Sequence, residues 1–228
     1  MERFILIDTS TALCSTALVE DGQIVATRSI QRDHAAHTAP FVQEMLHERG
    51  LTVRDCCAVG VGKGPGSFTG LRVGVSTAKG LCFGAGIPLI AVGSLDTLAW
   101  HAKDRGLLPA GCQAIVPMID ARRMEVYTAT FSPDAQRLSP IEPKIIDPGR
   151  YDELLARGPV LFIGDGAEKC REVLAHPNAH FAGCFPEAVS MMHPVLQAWR
   201  ERKFEDVAYF EPFYLKDFVA TVSKKRLF

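Results

Sequence analysis

Two short stretches carry the residue types that phosphate binding needs. Ile7-Asp8-Thr9-Ser10-Thr11 and Ile119-Asp120-Ala121-Arg122 each end an apolar run on an aspartate and a tight turn. In a two-domain cleft such turns offer backbone N–H groups to phosphate, and the carboxylate can hold metal-bound water. Close approach of a phosphate wants glycine two residues after the aspartate. Ser10 and Arg122 stand there instead. Arg122 either fills the phosphate space or meets an anion with its cation. The pair is expected to be a degenerate site with no resident cofactor and at most weak or vestigial nucleotide binding. The plainer alternative is a hairpin with an aspartate at its turn.

Gly64-Pro65-Gly66-Ser67 precedes a helical pattern and could cradle an anion at a helix N-terminus. It lacks the Gly-Lys-Ser/Thr ending of a P-loop and the spacing of a dinucleotide fingerprint. The structural alternative gives Gly66 a special backbone angle and makes Ser67 or Thr69 the helix cap. In the helix that follows, Gly70, Gly74 and Ala78 fall at i, i+4 and i+8, beside an apolar stripe of Leu71, Val75 and Cys82. Helical glycine costs about 1 kcal/mol against alanine, so close packing is implied, on this chain's own sheet or on another subunit. His34 and His37 lack a third ligand at metal spacing, no Gly-x-Ser-x-Gly elbow is present, and no catalytic residue or metal site is predicted.

The elements that must position these residues follow from periodicity. Phe4–Asp8 reads as a buried strand. Leu13–Glu20 and Gln23–Ile30 read as a hairpin around Asp21-Gly22, where both turn positions favour positive φ. A helix is expected from Thr38, with Pro40 in its first turn and Ala39, Val42, Met45 and Leu46 on one face. Strands over 57–62 and 89–92 flank the Gly-rich helix of 68–83, and a helix capped by Ser94 runs to Lys103. The order β-β-β-α-β-α-β-α implies a mixed sheet with helices on its faces. The softer stretch 104–111 marks a boundary between a domain of 1–105 and a shorter second one of 106–228. That half opens with strands over 114–119 and 124–131 and continues through an irregular Pro-rich stretch (132–148). A strand over 160–163 and helices over 167–174 and 186–202 complete it.

Composition narrows the class. The 228 residues are 47% hydrophobic and 22% charged, with a formal net charge of −1. No global positive field draws the chain to nucleic acid or to an anionic membrane. Only Arg122-Arg123 and Lys224-Lys225-Arg226 are tight basic clusters. The seven cysteines include adjacent Cys56 and Cys57 and show no zinc spacing, which suits a reducing cytoplasm. The longest apolar run, 81–92, is interrupted and too short for a membrane span.

The strings Ile5-Leu6-Ile7-Asp8-Thr9-Ser10-Thr11, Gly62-Lys63-Gly64-Pro65-Gly66-Ser67-Phe68-Thr69-Gly70-Leu71-Arg72-Val73-Gly74, Ala78-Lys79-Gly80-Leu81 and Ile119-Asp120-Ala121-Arg122-Arg123-Met124-Glu125-Val126-Tyr127 resemble the TsaB family of the bacterial tRNA threonylcarbamoyladenosine machinery. Past residue 130 the likeness narrows to Gly164-Asp165-Gly166-Ala167 and Pro212-Phe213-Tyr214-Leu215. The resemblance implies an α/β actin-like ATPase (ribonuclease H-like) fold of two related mixed-sheet domains, the second abbreviated. It implies a non-catalytic subunit that binds a TsaD-type catalytic subunit and, through that complex, a TsaE-type ATPase. It further implies a homodimer when alone and contact with tRNA only indirectly. The sibling's metal histidines correspond to Ser94 and Leu98, and its adenosine-contacting Gly-Gly to Gly164-Asp165. The partner face is expected along the helices from Thr38 and Phe68, with Phe41, Met45, Gly70, Leu71, Gly74, Val75 and Ala78 exposed to the other subunit, so that a charge at Val75 or Leu71 would abolish association. The alternative is a small actin-fold kinase or a metallo-glycopeptidase acting alone.

Overall fold

Phe4, Ile5, Leu6 and Ile7 are all fully buried, as a strand covered on both faces requires. In the computed structural model, which describes residues 1–216, this strand is β1 (Arg3–Asp8) and lies at the centre of a five-stranded sheet. Its neighbours are β2 (Leu13–Glu20), β3 (Gln23–Gln31), β4 (Ala58–Gly64) and β5 (Leu89–Gly93), in the order β3-β2-β1-β4-β5. The first three strands form an antiparallel meander, while β4 and β5 run parallel to β1. Asp21 and Gly22 take φ of 47° and 77° at the first hairpin. The second sheet contains β6 (Ala114–Asp120), β7 (Glu125–Thr128), β8 (Glu142–Ile145), β9 (Val160–Ile163) and β10 (Ala179–Ala182). Its order, β8-β7-β6-β9-β10, repeats the first strand for strand.

The helices show where the second half is shortened. Between β3 and β4 stands α1 (His34–His47), and between β4 and β5 stands α2 (Phe68–Ala85). Their counterparts are α4 (Asp152–Leu155) and a single 3₁₀ turn at Glu168–Cys170. The helix expected over 167–174 is not there; Lys169 instead reaches back to the β6–β7 hairpin, and only one turn forms. Helices α1 and α2 cover one face of the first sheet, packing Val42, Met45, Val75 and Ala78 on Ile5, Ile7, Val59 and Val61. Following β5, α3 (Ser94–Asp104) inserts Leu95, Leu98 and Ala102 against Ile115, Ile119, Phe131 and Ile163 of the second half.

Four further expectations are corrected. Helix α1 begins at His34, not Thr38, so Pro40 lies in its interior. The carbonyl of Ala36 that loses its donor is on the exposed side and water can satisfy it; Ala39, expected on the inner face, is exposed as well. The Pro-rich stretch contains β8, an edge strand where Pro143 forfeits no internal bond. The span 186–202 is a 3₁₀ turn (Ala188–Met191) followed by α5 (Met192–Arg200), because Pro194 cannot donate to Ser190. Finally, residues 188–213 do not stay with the second sheet. Ala188, Met191 and Val195 pack on Phe4, Leu6, Ala17 and Ile90, closing the other face of the first sheet. The chain stays there: Glu205 bridges to Leu89, and the Phe213 N–H donates to the Lys63 carbonyl at 2.8 Å. The run Lys224-Lys225-Arg226 lies outside the described residues.

Candidate functional site

The two aspartate turns occupy equivalent places, at the C-terminal ends of β1 and β6. In each, the aspartate Oδ1 accepts from the N–H two residues on, at 2.9 Å from Ser10 and 2.9 Å from Arg122. The Ser10 hydroxyl also donates to Asp8, at 2.8 Å. Both turns thus satisfy with their own carboxylate an N–H that a phosphate would need. Asp8 is fully buried, and its Oδ2 has no partner among the described residues. Burial pushes its carboxyl up to about 6 against the two Ser10 hydrogen bonds that favour the anion.

The second turn is filled from its own half. The Asp120 N–H donates to Asp165 Oδ1 at 3.1 Å, Lys169 pairs with the Asp120 carboxylate, and the Lys169 ammonium also donates to the Glu125 carbonyl at 2.7 Å. Burial, with the nearby Asp120 charge adding to it, raises the Asp165 carboxyl to about 6. Arg122 and Arg123 sit exposed at φ of 71° and 51°, a left-handed pair at a hairpin tip where Asn-Gly is the usual choice. Lys169 escapes sequence reasoning, since nothing in its spacing relates it to Asp120.

The Gly-rich helix explains the first turn. A Cβ at Gly66 would strike the Ser10 carbonyl, one at Gly70 the Thr9 carbonyl, and one at Gly74 the Thr9 hydroxyl. The small-residue line on α2 therefore seats Thr9 and Ser10. Thr9 Oγ1 donates to the Gly70 carbonyl at 2.8 Å, and the Ser67 N–H to the Ser10 carbonyl at 2.7 Å. Ser67 caps α2 by accepting from the Gly70 N–H at 3.2 Å. The positive φ in the preceding loop belongs to Gly64 (106°), not Gly66, whose need is room.

This packing overturns the expected exposed face. Leu71, Val75, Ala78 and Met45 are buried in the chain's own core, and Gly70 and Gly74 beneath Thr9. Phe41 remains half-buried, stacked near His37. The solvent side of α2 instead presents Arg72, Ser76, Gly80, Phe83 and Gly84. Phe83 is 85% exposed, and a Cβ at Gly80 or Gly84 would meet nothing within 4 Å. Ser76, Gly80 and Gly84 form a second small-residue line at i, i+4 and i+8, a signal present in the sequence that the reading of Gly70, Gly74 and Ala78 overlooks.

The residues that correspond to the sibling's metal histidines do not fit a metal. Leu98 is buried against the Gly164 loop and has no donor atom. Ser94 does not cap α3; Gly93 occupies that position, and the Ser94 hydroxyl is buried without a partner among the described residues. His34 Nε2 lies 2.8 Å from the Thr11 carbonyl, so that histidine fastens α1 to the first turn. Among the described residues no three His, Cys, Asp or Glu side chains cluster to hold a metal ion.

Comparison with known proteins settles the family. Residues 22–223 match the family model described as TsaD, tRNA N6-adenosine threonylcarbamoyltransferase. The Escherichia coli K12 tRNA threonylcarbamoyladenosine biosynthesis protein TsaB is 32% identical over 229 residues, 96% of this chain and 96% of that protein. The chain belongs to the TsaB family. The Bacillus subtilis TsaB is 35% identical over 127 residues, covering 55% of this chain and 53% of that one. A Pseudomonas aeruginosa structure described as similar to the peptidase YeaZ superposes with a TM-score of 0.82 at 27% identity, over 95% of this chain and all of that one. A polyphosphate/ATP-glucomannokinase from Arthrobacter shares the fold alone, with a TM-score of 0.52 at 11% identity over 86% of this chain and 99% of that chain. The TsaB family chain thus has the two-lobed actin-like ATPase fold. No helix among the described residues is long and apolar enough to cross a membrane.

Proposed function

We propose that this chain is a non-catalytic subunit in the formation of threonylcarbamoyladenosine on tRNA, and that it works by docking on a TsaD-type catalytic subunit. The biosynthetic role rests on its TsaB relatives, which are named as tRNA threonylcarbamoyladenosine biosynthesis proteins. The docking face is the solvent side of α2, with the adjoining Phe41 edge of α1. The observation that carries it is the pair Gly80 and Gly84, helical glycines that nothing among the described residues requires. Each costs about 1 kcal/mol in helix stability, and close approach of a second helix along the Ser76-Gly80-Gly84 line would explain both. Phe83 supplies the adjoining anchor. The same face serves a homodimer when the chain is alone. A TsaE-type ATPase joins through the complex, and tRNA is reached only through it. Self-satisfied turns at Asp8 and Asp120 support the absence of a resident cofactor, and the free cysteines fit a cytoplasmic setting.

Phe83→Glu is the decisive variant. Phe83 is 85% exposed, so its melting temperature should match the parent. Its association with a TsaD-type subunit, and with itself, should fall at least a hundredfold in sedimentation and pull-down, since an unpaired buried charge costs several kcal/mol. Undiminished association would remove α2 from the interface. Val75→Glu, by contrast, would place a charge in the first lobe's own core and unfold it. The rival reading, a kinase or metallo-glycopeptidase acting alone, requires ATP turnover approaching about 1 s⁻¹ or stoichiometric iron or zinc in the isolated chain.

A further inference from the structure

At the opposite end of the first sheet from Asp8, an open cavity of about 630 Å³ is lined by Glu2, Pro88, Trp199, Arg200, Arg202 and Phe204. Glu2 precedes β1 and Pro88 precedes β5, whereas Asp8 and Gly93 end those parallel strands. The cavity is therefore separate from both aspartate turns. Its volume lies within the range of small-molecule pockets, roughly 300–1,000 Å³.

The charges in it are uneven. Glu2 is committed, its carboxylate accepting from the Trp199 indole N–H at 2.8 Å. Neither the Arg200 nor the Arg202 guanidinium makes a hydrogen bond or ion pair with any described residue. Two aromatic rings stand beside them, Trp199 and Phe204, 5.6 Å apart between centroids.

Arg202 is also strained. Helix α5 ends in a Schellman turn, with the Lys203 N–H donating to the Ala198 carbonyl at 2.9 Å. The left-handed residue of that turn is ordinarily glycine, yet here it is Arg202 at φ 54°. A cation near a helix C-terminus favours the macrodipole, and Arg200 is explained that way. The dipole gives no reason to hold a second arginine in a backbone region that disfavours it. Strain of this kind collects at binding sites.

We propose that this cavity binds a nucleotide, with Arg200 and Arg202 taking the phosphate and Trp199 and Phe204 forming the wall for the base. Guanidinium forks match phosphate geometry, and base stacking on aromatic rings tolerates any base. The nucleotide is a free one, since on the reading above tRNA is reached only through the complex.

The chain has two tryptophans, so a Trp100→Phe background leaves Trp199 as the fluorescent reporter. AMP should quench it saturably with a midpoint below about 1 mM, and inorganic phosphate should bind at least tenfold more weakly. Arg202→Gly should weaken AMP at least tenfold while keeping or raising the melting temperature, because glycine suits the left-handed position. Excess tRNA should leave AMP bound; displacement of AMP by tRNA would overturn the assignment to a free nucleotide. Absence of saturable quenching, an Arg202→Gly variant that binds as the parent does, or phosphate binding equal to AMP would each overturn the proposal.

Discussion

Helix α2 carries four glycines whose replacement by alanine should separate cleanly in sign. At Gly70 a methyl group would overlap the buried Thr9 carbonyl oxygen, a backbone atom in the turn that follows β1. Overpacking of this kind costs typically 1–3 kcal/mol, and the better helix propensity of alanine returns about 1. The core cost should be at the upper end, because Thr9 is held by the hydroxyl bond to Gly70 and Ser10 by the bond from Ser67. Gly74→Ala meets the Thr9 hydroxyl instead. A side chain can swing aside, at the loss of one hydrogen bond worth about 1 kcal/mol, so its effect should be smaller. Gly80→Ala and Gly84→Ala meet nothing within 4 Å and should each stabilise by about 0.5–1 kcal/mol. The spread between Gly70→Ala and Gly80→Ala is then roughly 1.5–3 kcal/mol, or about 3–12 °C in melting temperature for a chain of this size. Thermal and urea unfolding of dilute isolated chains measures it. If Gly70→Ala melts with or above the parent, the seating of Thr9 on α2 is not the reason for glycine there.

Asp8 titrates from 3.8 in the unfolded chain to about 6 in the folded one, so the native state holds its proton longer and stability falls as pH rises from about 4 to about 6. Asp8→Asn should remove that slope, improving relative to the parent by up to about 3 kcal/mol between pH 4 and pH 7, as followed by urea midpoints across pH. Lys169→Met should release both the Asp120 carboxylate and the Glu125 carbonyl, lowering stability by about 1–3 kcal/mol; unchanged unfolding would show that the second turn holds itself. Pro40→Ala restores a missing helical hydrogen bond on the exposed side of α1 and should raise stability by about 1–3 kcal/mol, measured by thermal unfolding.

The first lobe is legible because its signals are local. Four consecutive apolar residues before Asp8, the Asp21-Gly22 turn and the Ser67 cap each specify an element within a few residues of themselves. The start of α1 is misplaced by sequence because the first-turn rule for proline is a tendency, which interior Pro40 breaks where the carbonyl it strands, that of Ala36, is exposed to water. Gly70 and Gly74 announce a close approach, but not its partner; only the fold brings Thr9 to them. Lys169 and Asp165 act on Asp120 across 49 and 45 residues, and no periodicity encodes such a pairing. The return of residues 188–213 to the first sheet is illegible for the same reason, since Met191 and Val195 look like any amphipathic helix until Phe4 and Leu6 are placed beside them.

That return also sets an order of events during synthesis. Phe4, Leu6, Ala17 and Ile90 leave the ribosome long before Met191 and Val195, which are their cover. At about 5–20 residues per second, the stretch from β5 to α5 takes roughly 5–20 s to make. Through that interval the nascent first lobe has one finished side and one greasy one, and it must be shielded by the second lobe, by a chaperone or by the ribosome surface until α5 arrives.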